Sequence, residues 1–263
     1  MMKFWAQLPI SVAVVLILFT NKSQADIIDS VTQSIEQARR LEFSTASGGA
    51  TCNQLVNASS IEGMKYAFKH WVNLCGERSE LVMKKTEIGK TYWYGWSMFI
   101  PSNWQDTSVG YDIVNQWATY PTNKKFRQGC GGNGSYIART NETFTFNLQY
   151  QGDVAQIVCN KFPLVSVTDA KGKWVDFVMH VKWTGNKDGF LRLWTRVGNE
   201  PYNLKINHVG STYWNDEDTG PYFKMGLYKG DPNFEGPSPR YLYTAQYRLG
   251  DAKSTFRDVA PSR

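Results

Sequence analysis

Apolar and polar side chains alternate along most of this chain, in short runs. Tyr66, Phe68 and His70 interleave with Ala67 and Lys69. Thr91–Ile100 is rich in aromatic residues and Pro101 stops it. Thr143–Tyr150, Val175–Trp183, Phe190–Val197, Tyr222–Tyr228 and Tyr241–Leu249 repeat the same period of two, with Gly, Asn, Asp or Pro between most runs. A period of two places alternate side chains on opposite faces of a strand. Many short strands with little helix predict an all-β sandwich or barrel. The runs predict one domain over residues 45–250, with no internal repeat or linker.

The ends of the chain read differently. Ile27, Ile28, Val31, Ile35 and Ala38 recur at helical spacing, so residues 26–44 are expected to form a short amphipathic helical lead-in. Before it, Lys3 precedes a short apolar run, Pro9 to Phe19, and Ser23-Gln24-Ala25 offers a small-x-small cleavage point. Residues 1–25 therefore read as a secretory signal, too short a run for a membrane span. The segment 251–263 is polar and is expected to be loose.

Composition narrows the class. Apolar residues make up 42% and charged residues 20%, which suits a packed core and excludes a disordered chain. Without the signal, 27 basic and 23 acidic residues remain, a mild +4 with no dense basic block. That balance suits an acidic polymer and gives no reason to expect nucleic acid. No membrane partner is expected after signal cleavage, and a secreted monomer is. The four cysteines, Cys52, Cys75, Cys130 and Cys159, suggest two disulfides. Three pairings are possible; Cys52–Cys75 and Cys130–Cys159 close the more modest loops. Asn57, Asn133 and Asn141 head glycosylation tripeptides.

Three segments could carry chemistry. In Arg78-Ser79-Glu80-Leu81, Arg78 and Glu80 share a strand face; the arginine could hold a carboxylate, or the two could simply pair. In Ile113-Val114-Asn115-Gln116-Trp117, Gln116 could hydrogen-bond a carboxylate while Trp117 points into the core. In Tyr222-Phe223-Lys224-Met225-Gly226-Leu227-Tyr228, the set Lys224, Gly226 and Tyr228 opposes the apolar set Phe223, Met225 and Leu227. The missing side chain at Gly226 would let a polymer lie close to the backbone.

These residue types suit β-elimination on a uronic acid. Arg78 and Gln116 could stabilise the carboxylate as charge builds on it. A base must take the C5 proton and an acid must protonate the leaving oxygen. Tyr228, with Lys224 nearby, is one candidate for either role. His180, on a polar face with Asp176 and Lys182, is another candidate base and equally a structural histidine. Lys182 and Arg192 are further cations expected to bind substrate.

Taken in order, the three segments resemble the jelly-roll polysaccharide lyases. Alginate lyases of that superfamily carry an Arg-Ser/Thr-Glu-Leu strand, a Gln-Ile/Val-His strand and a Tyr-Phe-Lys-Ala-Gly-x-Tyr strand. Tyr92 to Pro101, Gly172 to Phe177, and Asn215-Asp216 ahead of Gly220 to Lys224 resemble the heparin lyase I and glucuronan lyase group. The resemblance implies a concanavalin A-like sandwich of two antiparallel sheets, one lining a groove for the polymer. It implies that Arg78 and Gln116 neutralise the uronate, and that Tyr228 is the catalytic acid and perhaps the base. Lys224 would assist, Glu80 would orient Arg78, and His180 could be a second base. No cofactor is implied for the chemistry; members of the glucuronan lyase group can hold a structural calcium, although no acidic calcium loop is visible here.

One departure matters: the histidine of the alginate-type strand is missing from Gln116-Trp117-Ala118. β-1,4-Glucuronan is therefore the expected substrate, ahead of alginate, ulvan or a heparin-like chain. A carbohydrate-binding lectin is the competing class. A glycoside hydrolase would need two spaced carboxylates, and no run offers an evident pair.

Overall fold

In this computed structural model the described residues are 26–45, 52–73, 75–104, 110–118, 134–151, 157–215, 220–229 and 240–262. They form fifteen strands. In chain order these are β1 (Ile27–Val31), β2 (Arg40–Thr45), β3 (Asn53–Ile61), β4 (Met64–Val72) and β5 (Gly76–Lys85). Then come β6 (Thr91–Ile100), β7 (Tyr111–Ala118), β8 (Gly134–Thr140), β9 (Thr143–Gln151) and β10 (Ile157–Ser166). The last are β11 (Lys173–Lys182), β12 (Phe190–Val197), β13 (Asn203–Val209), β14 (Tyr222–Lys229) and β15 (Arg240–Gly250).

The strands make two antiparallel sheets. The first runs β13-β12-β11-β6-β15-β4-β3, with β1 alongside β15. The second runs β10-β9-β8-β7-β14-β5-β2. Alternation explains the layering. Val175, Phe177, Met179 and Val181 of β11 and Phe223, Met225 and Leu227 of β14 all enter one core between the sheets. Trp117 is fully buried there, with its ring 4.9 Å from Phe223 and 5.5 Å from Trp96. The predicted jelly-roll sandwich is what the chain forms.

The N-terminal segment is not a helix. Residues 27–31 are a strand on β15, a single 3-10 turn spans Ile35–Gln37, and β2 follows. The Gln37 side-chain oxygen accepts the backbone N–H groups of Thr32, Gln33 and Ser34, which pulls the chain out of helical bonding at that point. The apolar residues read as one helical stripe are real core contacts, since Val31 is buried and Ile28, Ile35 and Ala38 pack against the core. A strand and a turn supply them.

The C-terminal tail is ordered as well. Thr255 and Asp258 form a capping box on the short helix α1 (Phe256–Val259). Val259 is buried, and Phe256 lies edge-on to Trp194 and Tyr202 at 5.5 and 5.0 Å. Gly95 of β6 permits this contact, because a Cβ there would lie 1.9 Å from the Val259 carbonyl oxygen. Two apolar side chains three residues apart anchor an otherwise polar segment. The sandwich therefore extends beyond 45–250 at both ends.

The Cys52–Cys75 disulfide is present, with Cα atoms 5.0 Å apart. Cys159 is disulfide-bonded too; its predicted partner Cys130 lies outside the described residues, as do residues 1–25 and Asn133.

Candidate active site

Arg78 and Glu80 come from β5, Gln116 from β7, and Lys224 and Tyr228 from β14, the strand between those two. Lys224 is directly opposite Gln116, and Tyr228 directly opposite Arg78. All five side chains emerge on the outer face of the second sheet, because their neighbours Leu81, Trp117, Phe223, Met225 and Leu227 are taken by the core. Bulges on both sides of β7 break the register between Ile113 and Asn115 and between Met225 and Tyr228. Such bulges re-aim side chains locally.

The five are joined by charge. Glu80 is fully buried and takes a 2.5 Å hydrogen bond from the Gln116 amide on Oε1. Its Oε2 has no hydrogen bond and faces Arg78 and Lys224, each at 3.8 Å. Burial raises the Glu80 pKa, against the pull of Lys224, Arg78 and the Gln116 hydrogen bond. The Arg78 guanidinium sits 4.2 Å from the centre of the Tyr228 ring. Burial works against the charge on Arg78, but Glu80, Tyr228 and Glu42 outweigh it and raise its pKa.

A sixth member was not anticipated. Glu42 of β2 accepts from Arg78 at 2.6 Å and from Lys224 at 2.8 Å, both on Oε1. Burial opposes its charge, yet the Lys224 hydrogen bond and the charges of Lys224, Arg78 and Arg40 prevail and lower its pKa. Lys224 is consequently only 3% exposed, wedged between two carboxylates. Its ammonium holds the site together and is not free to reach outward.

The other expected residues lie elsewhere. His180 and Lys182 of β11 and Arg192 of β12 are on the first sheet, on the face turned away from the core. The His180 ring stacks on Trp93 at 3.9 Å, and burial, then Arg192, lowers its pKa to about 4. Lys182 pairs with Asp188, and Arg192 donates to Asn207 at 3.3 Å. The whole sandwich separates these three from Tyr228. The sequence pattern gave each a polar strand face but not which of two polar faces it was.

Gly226 also serves a different purpose from the one expected. With φ at +151°, a Cβ there would lie 2.2 Å from the Ser79 carbonyl oxygen and 2.7 Å from His70 Nδ1. The glycine makes room for His70 beneath the strand. That histidine is fully buried, with a pKa lowered to about 4 by burial, although the Ser79 hydrogen bond opposes this. It bridges the sheets, contacting Ser79 O of β5 and Thr244 Oγ1 of β15 at 2.8 Å each. Both ring nitrogens are engaged and no atom reaches the outer face.

One cross-strand row runs the width of this sheet. Register aligns Arg40, Val82, Lys224, Gln116, Tyr136, Asn147 and Lys161 in sequence from β2 to β10. Seven strands at about 4.8 Å apart span roughly 29 Å. Burial, then Tyr111, raises the Tyr136 pKa, which keeps that phenol protonated near neutrality. Among the described residues no group of three or more His, Cys, Asp or Glu side chains is placed to hold a metal ion.

Residues 30–248 match the polysaccharide lyase family, and the chain belongs to it. No curated protein matches the chain. Among solved structures it is similar to an endo-β-1,4-glucuronan lyase from the fungus Trichoderma reesei: TM-score 0.68, 18% identity, covering 89% of this chain and 98% of that one. A marine alginate lyase from Aplysia kurodai superposes with TM-score 0.54 at 9% identity, covering 86% and 99%. The binding domain of Botulinum neurotoxin DC, solved with rat synaptotagmin II, gives TM-score 0.52 at 10% identity, covering 89% of this chain and 50% of that one. These likenesses establish the sandwich. Since a toxin's binding domain shares it, the sandwich alone does not define the activity; the family match makes the chain a polysaccharide lyase.

Proposed function

We propose that the chain is a secreted, endo-acting lyase that cuts β-1,4-glucuronan by β-elimination. The observation that carries this reading is the meeting of Arg78, Gln116, Glu80 and Tyr228 on one outer sheet face. Arg78 and the Gln116 amide hold the uronate carboxylate, and Glu80 fixes the amide from behind. As the C5–H bond breaks, charge moves into that carboxylate, where fixed donors stabilise it most. Tyr228, entering as the phenolate, takes the C5 proton and becomes a phenol. The C4–O bond then breaks, a C4–C5 double bond forms, and the leaving oxygen takes a proton back from the same phenol. His180 lies on the other sheet and His70 is fully buried, which supports one tyrosine serving both steps. The row from Arg40 to Lys161 supports binding of a continuous chain and hence internal cleavage. The fungal glucuronan lyase likeness supports glucuronan over other uronates. A disulfide, together with no helix among the described residues long and apolar enough to cross a membrane, supports an extracellular site of action.

The test is an ultraviolet assay for unsaturated uronate ends, with glucuronan, alginate, ulvan and heparin offered to the wild type and to Tyr228→Phe. Absorbance should rise with glucuronan and be lost in the variant. A rise with alginate alone would overturn the substrate; binding without any rise would point to a lectin.

A further inference from the structure

Glu42 has a geometry that the elimination itself does not call for. One of its carboxylate oxygens is held by two cations at once, Arg78 at 2.6 Å and Lys224 at 2.8 Å. A uronate carboxylate approaching Arg78 needs the same bond. The charges of Arg78, Lys224, Glu42 and Glu80 sum to zero and only Arg40 adds a positive charge beside them, so Glu42 weakens the pull on an incoming anion while it stays in place. Two features let it leave. Its second oxygen already faces Arg40 at 3.4 Å, and the Arg40 side chain is 57% exposed. Glu42 also stands on β2, the last strand of the described sheet, and its side chain is partly exposed.

We propose that Glu42 is a specificity-determining residue: an internal carboxylate that occupies the uronate position until a substrate carboxylate displaces it toward Arg40. This rests on the reading that Arg78 receives the uronate. The exchange is one carboxylate for another. A neutral glucan offers nothing to replace Glu42 and leaves the Arg78–Glu42 pair closed. A uronate takes over the pairing of Arg78, Lys224 keeps Glu80 on its other side, and Glu42 is freed to a second arginine.

The experiment compares wild type with Glu42→Gln, which keeps the shape and removes the charge. KM for glucuronan should fall about three- to tenfold, the range expected when a partly exposed charge-assisted contact no longer competes. In a Tyr228→Phe background, calorimetric titration with glucuronan oligosaccharides should show the same tightening without turnover. Arg40→Ala should weaken binding when Glu42 is present and have little effect in Glu42→Gln, a coupling that a merely structural role would not produce. Wild-type cleavage with KM unchanged or raised in Glu42→Gln overturns this inference and leaves the lyase reading intact. A wild type that cleaves no uronate polymer overturns the lyase reading, and the titration still reads whether Glu42 competes. Failure of both proteins to bind oligosaccharides of any of the four uronate polymers overturns the two together.

Discussion

Replacing Glu80 by glutamine separates what this carboxylate does for activity from what it does for stability. Arg78 and Lys224 hold Glu42 at 2.6 and 2.8 Å but lie 3.8 Å from Glu80, so both cations keep their main partner when the Glu80 charge is removed. Glu80 itself is fully buried with one oxygen lacking a hydrogen bond, a defect that costs roughly 1–3 kcal/mol. In Glu80→Gln an amide NH2 takes the place of that oxygen and faces the same two cations, so the position stays unpaired; what offsets the loss of the longer ion pairs is relief of burying the charge itself, and the expected net change is within about 1 kcal/mol. In a domain of this size that moves Tm by no more than about 2–4 °C. The pH dependence carries a sign. Burial holds the folded-state pKa of Glu80 above its ordinary 4.5, so the folded state binds this proton more tightly than the unfolded state. Stability contributed by the group therefore falls as pH rises from about 4.5 through the folded value, and Glu80→Gln should remove that decline. Activity should respond in the opposite sense. The Gln116 amide loses its charged anchor, worth about 1.5–3 kcal/mol, so kcat/KM should fall roughly 10- to 100-fold. Thermal unfolding across pH 4 to 8, beside the ultraviolet assay, measures both. Full activity with a Tm loss above about 8 °C would refute the reasoning and make Glu80 a purely structural charge.

Other outcomes follow from the same geometry. His180→Ala should leave kcat/KM within about twofold of wild type, because the ring belongs to the opposite sheet; a hundredfold loss would contradict the placement. Gly226→Ala forces a Cβ against Ser79 O and His70 at a positive φ, and should cost about 3 kcal/mol or more in denaturant unfolding. Replacing Cys52 and Cys75 by serine opens a loop of sequence separation 23 and should cost about 3 kcal/mol, read by the same denaturant curve.

Much of this was legible in the chain. The period of two predicted β6, β9, β11, β12, β14 and β15, and its phase sent Trp117 and Phe223 to the core. Phase relative to the core also put Arg78, Glu80, Gln116, Lys224 and Tyr228 outward. What phase does not encode is which sheet a strand joins, since both sheets turn a polar face away from the same core. That is why His180, Lys182 and Arg192 look like partners of Tyr228 in sequence and are not. Glu42 was missed for another reason. Arg40-Leu41-Glu42-Phe43 does alternate, but it falls within residues 26–44, where the helical spacing of Ile27 to Ala38 predicted a helical lead-in and hid the short strand. The helical stripe at 27–38 was a coincidence of spacing. Side-chain oxygens of Ser34 and Gln37, competing for backbone N–H groups, were the available warning.

The order of strands within the sheets governs how the molecule can be made. β14 lies between β7 and β5, and β15 between β6 and β4, yet they are the last two strands of the chain. During synthesis each sheet waits as two separate parts until its final strand emerges from the ribosome and slots between them. Closing such long-range pairs comes late and is slow. Because β14 also carries Lys224 and Tyr228, the face proposed to cut the polymer does not exist on a partly made chain. A nascent molecule cannot attack glycan before it is finished, and loss of the last forty or so residues removes the keystone of both sheets at once.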